Sequence, residues 1–381
     1  MDFDLTEEQK AIQALCRDFA REEVAPRAEE MDRNEEFPYD LVRKMAELGL
    51  LGLPFPEKYG GSDADTVSYA LAIMELARVD ASTAITLAAH VSLGASPIYL
   101  FGTEEQKQRY LVPLAQGKML WGFGLTEPGA GSDAGAAQTR AVLENGSWKI
   151  NGTKAFITNS GTDMTGGTTI TAVTGESNGK PEISNIMVPQ DTPGFTRSKK
   201  YRKMGWRASD TRELSFVDAK VPEENLLGER GKGFQQFLTI LDGGRISIAA
   251  LSVGLAWGAY DEALKYARER HQFGKPISKF QAIQFKLADM LTEIEHGKLM
   301  VMRAAWEKDT GRDFELTASL AKLYSGEMSR RVVNEAVQIH GGYGFMEEYP
   351  VSRFYRDQKI NEIGEGTNEV QRLVIARHIG L

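Results

Sequence analysis

The hydrophobic period of this chain changes twice, from helical to strand-like and back, and those changes restrict the fold more than any single motif does. Near the start, Thr6-Glu7-Glu8-Gln9 has capping-box spacing, and Ile12, Leu15, Cys16 and Phe19 then share one helical face. Pro26 lacks an amide hydrogen and should kink or end that helix. Further helices are expected over 39–48, 66–78, 82–100 and 104–116. From about Leu120 the texture turns to short β-rich runs at 122–126, 138–143, 148–150, 155–158, 168–173 and 214–217, punctuated by Asn145-Gly146, Asn151-Gly152 and Asn178-Gly179. A small antiparallel barrel or sandwich accounts for that pattern. After Gly233 the helical period returns. Phe280, Ile283, Leu287, Met290, Leu291 and Ile294 form one stripe, and Leu316, Leu320, Leu323, Met328, Val332 and Ile339 another. Long helices with apolar faces and short links suggest a bundle. The expected class is α+β: a helical domain over 1–120, a β domain over 121–232 and a helical bundle over 233–381.

With 381 residues the chain can bury a substantial core, and its 42 % hydrophobic and 26 % charged residues suit a soluble globular protein. A net charge of −8 argues against general nucleic-acid binding, which needs a basic face. Cys16 is the only cysteine, so no internal disulfide can form; we expect it to pack in a helix, and a reducing cytoplasm fits. Met1 to Gln9 is acidic and has no positive region leading into an apolar core, so no secretory signal is read. The longest apolar stretch, Ile246 to Tyr260, is shorter than the ~20 residues that span a bilayer, and Ser247, Ser252, Gly254 and Gly258 interrupt it. A core helix is expected there, not a membrane span. The five histidines, His90, His271, His296, His340 and His378, lack the paired spacing of a metal site, and none is expected.

Chemistry-bearing residues gather in a few short blocks. Ile363 to Arg372 centres on Glu365, between Gly364 and Gly366. A carboxylate whose pKa rises on burial is suited to removing a weakly acidic proton, although the segment also reads as an acidic turn before a helix. Leu125 to Asp133 closes an expected strand and contains Gly129-x-Gly131-x-x-Ala134. The residues beyond it do not read as the helix of a βαβ unit, so a dinucleotide fingerprint competes with a simple glycine-rich turn. Lys154 to Asn159 carries Phe156, which by burial statistics alone is a core aromatic. In Tyr266 to Pro276, Arg270 offers a fork for phosphate oxygens or merely ends a helix. Gln338-Ile339-His340-Gly341-Gly342 reads as a helix end capped by glycine; acid–base work by His340 is not needed to explain the turn. Asp242-Gly243-Gly244-Arg245 completes the set.

In this order, and across nearly the whole chain, the blocks resemble those of the acyl-CoA dehydrogenases. The resemblance implies a helical, a β and a four-helix-bundle domain, usually assembled as a homotetramer, with FAD as cofactor and an acyl-CoA thioester as substrate. It makes Glu365 the base that takes the α-proton while a hydride leaves the β-carbon for FAD, giving a trans-2-enoyl-CoA. The Glu365 amide and a ribityl hydroxyl of FAD would stabilise the thioester oxygen. Flavin contacts are implied for Phe123, Gly124, Leu125, Thr126, Ser132, Phe156, Ile157 and Thr158. Further FAD contacts are implied for Arg270, Gln281, Gln338, Ile339, His340, Gly341, Gly342, Thr367, Asn368 and Glu369, with Arg270 on the pyrophosphate held at a neighbouring subunit. Ser132, Asp242, Arg245 and Gly366 match substrate contacts. Electrons would pass to electron-transfer flavoprotein; an oxygen-using acyl-CoA oxidase and a silent flavin- or CoA-binding scaffold are the alternatives. Many relatives carry tryptophan at the position of Phe156. Where straight-chain relatives have tyrosine before the catalytic glutamate, this chain has Gly364, which suggests room for a short branched or cyclic acyl group.

Overall fold

The computed structural model describes residues 4–177 and 179–381. The expected Asn178-Gly179 turn therefore falls partly outside the described residues, as do the first three residues of the acidic N-terminus. Helix α1 (Glu7–Phe19) begins as its sequence dictates: Gln9 N donates to Thr6 Oγ1 at 3.2 Å, and Thr6 N donates to Gln9 Oε1 at 3.0 Å. Cys16 and Phe19 are buried, but Leu15, expected beside them, stays 39 % exposed. Past Phe19 the chain loosens into a π-helical turn (Ala20–Val24) and a 3₁₀ turn (Ala25–Arg27) before α2 (Ala28–Asn34). Pro26 thus disturbs the hydrogen-bond ladder without stopping the helical path. Helices α3 (Tyr39–Glu47), α4 (Thr66–Ala77) and α5 (Ala81–Ala89) follow. The single helix expected over 82–100 is divided by a π-helical turn at His90–Ala95, which leads into α6 (Ser96–Phe101). The short α7 (Glu104–Gln106) and α8 (Val112–Ala115) are linked by another such turn.

Among the described residues eight strands come next: β1 (Leu120–Gly124), β2 (Arg140–Glu144), β3 (Ser147–Thr158), β4 (Thr165–Ser177), β5 (Lys180–Pro189), β6 (Phe195–Arg197), β7 (Thr211–Pro222) and β8 (Leu226–Leu227). Their order is β6-β7-β3-β2-β4-β5-β8, with β1 beside β4. The sheet is not wholly antiparallel as expected, because β1 and β2 both meet β4 in parallel register. Asn145-Gly146 makes the expected tight hairpin between β2 and β3, with φ of 51° and 72°. Asn151-Gly152 does not turn. It lies inside β3, where a bulge replaces the turn and merges two expected strands, and Gly152 (φ 149°) leaves no room for a side chain against Thr139. Trp148, Ile150, Ile170, Ile186, Val188, Leu214 and Phe216 form the domain's own core.

The C-terminal part contains α9 (Gly233–Glu269), a hairpin of β9 (His271–Gln272) and β10 (Lys275–Pro276), α10 (Gln281–Asp309), α11 (Glu315–His340), α12 (Pro350–Gln358) and α13 (Asn368–His378). Helix α9 is the hub, packed against α4, α10, α11 and α12. Encirclement explains why Ile246 to Ala256 is apolar without a stripe: every direction is interior. Gly254 and Gly258 let α4 approach closely, since a Cβ at either would lie 2.2 Å or 2.1 Å from the carbonyl oxygens of Met74 and Arg78. Ala81–Phe101 and α9 both have the length and mean hydropathy, 1.4, of a membrane span, but 72 % of each apolar window is packed inside the protein. The three parts are tied together where Trp206 N donates to Asp357 Oδ1 (2.6 Å) and Arg356 pairs with Asp32.

Candidate active site

Glu365 stands in the turn between α12 and α13, closed by the bond from Gly364 N to Ile360 O (2.8 Å). Its own backbone is left-handed (φ 52°), as is that of Gly366 (φ 87°). A glutamate holds that conformation only when neighbours impose it. Here Gln371 Nε2 donates to Gly366 O (3.0 Å), Lys322 Nζ donates to the same oxygen (2.7 Å), and Thr367 caps α13 through Val370 N. The strain is invested in direction: the carboxyl is turned onto α9 at Gly244, so closely that a Cβ there would lie 1.8 Å from Oε2.

That Oε2 is buried and has no hydrogen-bond partner among the described residues. Burial pushes the Glu365 carboxyl up to about 7, opposed by the positive charges of Lys322 and Arg245. One residue beyond Gly244, Arg245 Nη1 donates to Asp242 Oδ1 (2.6 Å) and to Ser319 Oγ (3.2 Å). Burial likewise raises Asp242 to about 6. Asp242, Arg245, Glu365 and Gly366 are thereby brought into one neighbourhood.

A largely buried apolar cluster lies about one turn before Gly244 on α9. Phe123 on β1 packs with Phe237 and Ile240 of α9, flanked by Leu93, Leu125 and Leu241. The end of β1 lies beside β3, where the Gly122 position touches Ile157 Cγ2 and Thr158 O. Ala155 N donates to Thr126 O (2.8 Å), joining the two segments just past Gly124. Phe156 is not the core aromatic that burial statistics favour. It sits at a register shift between β3 and β7 with φ 62°; the residue is 66 % exposed and its ring lies 5.5 Å from that of Tyr201. Ser132 is exposed in the loop beyond.

Beside this cluster is a pair that no sequence motif singles out. Lys154 Nζ, fully buried, donates to Glu127 Oε1 (2.7 Å), Leu125 O (3.1 Å) and Thr171 Oγ1 (3.1 Å). The Glu127 carboxylate also accepts from Gln138 N and Thr139 N. A buried pair with its bonds so filled fixes the path of the 125–139 loop.

A second assembly lies at the far end of α9. Arg270 is its C-cap and reaches over the Tyr343 ring at 5.6 Å. Arg270, Tyr266, Ile339, His340, Gly341 and Gly342 line a cavity of about 550 Å³. Gly341 caps α11 with φ 59°, and nothing stands within 4 Å of a Cβ built on it or on Gly342. His340 is a wall residue: its Nδ1 bonds Ala336 O (2.8 Å), its ring stacks 4.3 Å from Tyr266, and burial holds its pKa down. Gln281 and Gln338 are exposed and lie outside the cavity's lining. At 1.5 Å of rise per residue, Arg270 is ~37 Å further along α9 than Arg245. Thr367 and Asn368 belong to the Glu365 turn, whereas the Glu369 side chain is exposed.

A buried carboxyl raised toward neutrality has the chemistry of a general base, and the uncovered Phe156 offers a face on which a planar ligand can stack. Comparison with known proteins makes the class specific. The acyl-CoA dehydrogenase N-terminal, middle and C-terminal domain models match residues 6–118, 122–219 and 231–380. The probable acyl-CoA dehydrogenase YngJ of Bacillus subtilis is 56 % identical over 100 % of both chains. Butyryl-CoA dehydrogenase from Megasphaera elsdenii superposes with a TM-score of 0.97 at 47 % identity, covering 100 % of both. A chain in a structure of the electron transferring flavoprotein of Acidaminococcus fermentans gives the same values. The chain belongs to the acyl-CoA dehydrogenase family and is an FAD-dependent flavoprotein oxidoreductase with that family's three-part fold.

Proposed function

We propose that the protein converts a short-chain acyl-CoA to its trans-2-enoyl-CoA with Glu365 as the α-proton base. The observation that carries this reading is the buried, unpartnered Glu365 Oε2 pressed on Gly244. A carboxylate freed from water and raised toward pH 7 is a stronger base than an exposed one, yet still ionises at neutral pH. Bound FAD supplies the acceptor for the β-hydride. The chain's own residues do the rest. The surface from Phe123 to Leu241 shields the acyl chain from water, Arg245 and Asp242 steady the side of the site nearest Gly244, and the Glu365 amide is available to the thioester oxygen.

The residues fit the cofactor. The exposed Phe156 ring offers a stacking face beside Leu125, Thr126, Ile157 and Thr158. Arg270 and the open Gly341-Gly342 edge suit a pyrophosphate. Because Arg270 is ~37 Å from Arg245 along one helix, we assign it to the FAD of a neighbouring copy. A homotetramer accords with this, as does the exposed apolar row Phe285, Leu299 and Trp306 on α10. Electrons would go to electron-transfer flavoprotein, the protein would work in the cytoplasm, and domain limits at 1–120, 121–232 and 233–381 suit the element pattern. We place the substrate among short acyl groups, branched or cyclic ones included, because a Cβ at Gly364 would meet nothing closer than Ile360 O at 3.4 Å.

Anaerobic mixing of the holoenzyme with butyryl-, isobutyryl-, isovaleryl- and cyclohexanecarboxyl-CoA tests the reading. Bleaching of the flavin by at least one of them is expected. No bleaching by any acyl-CoA would leave only a binding scaffold.

A further inference from the structure

Lys322, on α11, has no solvent exposure at all. Its Nζ donates to Gly366 O (2.7 Å), in the turn at Glu365, and to Asn368 Oδ1 (3.1 Å), at the start of α13. One turn earlier on the same face of α11, Ser319 Oγ receives Arg245 Nη1. Helix α11 therefore supports both the base's turn and the arginine beside it. The two cations differ in one respect. Arg245 is matched by Asp242 at 2.6 Å, whereas both hydrogen-bond acceptors of Lys322 are neutral amide oxygens.

Burying an ammonium without a carboxylate partner is unfavourable, and an apolar side chain would fill the same helix position at lower cost. Of the negative charges that act on Lys322, that of Glu365 is the largest, ahead of Glu362 and Glu369. We propose that Lys322 is the positioning residue of the base: it clamps the Gly366 carbonyl and the Asn368 side chain and supplies a positive charge, unmatched by any hydrogen-bonded carboxylate, that lets the Glu365 carboxyl ionise in a dry site. The proposal rests on Glu365 being the base.

The electrostatics run in the required direction. Lys322 and Arg245 lower the Glu365 pKa against a larger rise from burial. Burial lowers Lys322 to about 8, and Glu365 is the largest influence holding it up. The other ionisable groups around the pair are Tyr69 from α4, Asp242 and Arg245 from α9, Glu362 from the turn after α12, and Glu369 from α13. Lys308 from α10 approaches α9 at Gly243. Removing the Lys322 charge leaves burial less opposed, so the Glu365 pKa must climb.

The test is the pH dependence of anaerobic flavin reduction by butyryl-CoA in the holoenzyme and its Lys322→Met, Lys322→Gln and Lys322→Arg variants. An infrared titration of the buried carboxyl provides a second readout, its band assigned by its loss in Glu365→Gln. The wild-type midpoint should lie near the Glu365 value of about 7. Lys322→Met and Lys322→Gln should move it up by about one pH unit or more, while Lys322→Arg, which keeps the charge, stays close to wild type. If the Met variant does not hold FAD, the Gln variant decides, because its amide can still donate to Gly366 O. A wild-type midpoint in Lys322→Gln overturns the proposal, as does an equal shift in Lys322→Arg. Failure of the underlying reading looks different: Glu365→Gln would then reduce its flavin at the normal rate whatever the Lys322 variants do.

Discussion

Gly244→Ala separates the geometry of the base from the stability of the fold. The residue lies within α9, where replacing glycine by alanine ordinarily favours the helix by roughly 0.8–1 kcal/mol. The three atoms nearest the added methyl all belong to the far end of one flexible side chain: Glu365 Oε2 at 1.8 Å, Cδ at 3.0 Å and Oε1 at 3.6 Å. To restore an ordinary contact of 3.4 Å from an approach of 1.8 Å, the carboxyl must retreat by about 1.6 Å. Folding should tolerate that, since the turn can release the side chain. Proton transfer should not, because a misplacement of ~1 Å can lower a rate by about 100-fold. We therefore expect the thermal midpoint of the holoenzyme to be unchanged or raised while the rate of anaerobic flavin reduction falls ~10- to 100-fold. Stopped-flow absorbance of the flavin and calorimetry of the same preparation measure the two effects. Flavin reduction at the wild-type rate in this variant would show that the carboxyl does not need the space over Gly244, and the geometric reading of the base would fail.

The same geometry yields other expected outcomes. Gly364→Tyr should depress kcat/KM for isobutyryl-, isovaleryl- and cyclohexanecarboxyl-CoA more than for butyryl-CoA by ~1 to 3 kcal/mol; equal losses on all four would point instead to a backbone requirement. Arg270→Ala should both loosen FAD and weaken the oligomer, read by flavin retention and sedimentation together, and loss of neither would make it a plain helix-end charge. The rate of flavin reduction at low substrate should rise with pH through about 7, as the Glu365 carboxyl ionises. Its pKa is raised on folding, so its contribution to stability is fully present below the ordinary glutamate value of 4.5 and lost as pH climbs through about 7. That loss is worth roughly 3 kcal/mol and should be absent in Glu365→Gln, which denaturation at pH 5 and pH 8.5 would reveal.

Helices are legible in the sequence where one face alone is buried, as in α1 with its capping box and α10 with its stripe. Helix α9 shows the opposite case: packed from all sides, it keeps its apolar length but loses its period. In the β domain, β5, β6 and β8 escape a reading by pattern because Pro181, Ser184 and Asn185 interrupt alternation and β8 has only two residues. Glu365 stands out through its flanking glycines. Lys322 does not, since a lysine between Ala321 and Leu323 reads as a solvated helix face until tertiary packing encloses it. The exposure of Phe156 is equally hidden, for it depends on a local register shift and a positive φ that no pattern of residue types announces.

Everything proposed for the site depends on Glu365 being the base and not merely a buried acid. Glu365→Gln preserves the side chain's size and removes its ability to take a proton. Rapid-mixing absorbance of the FAD-loaded variant with butyryl-CoA, under anaerobic conditions, decides between the two. The ligand should still perturb the oxidised flavin spectrum while bleaching slows by ~100-fold or more. Bleaching at a near wild-type rate would place the base elsewhere in the site.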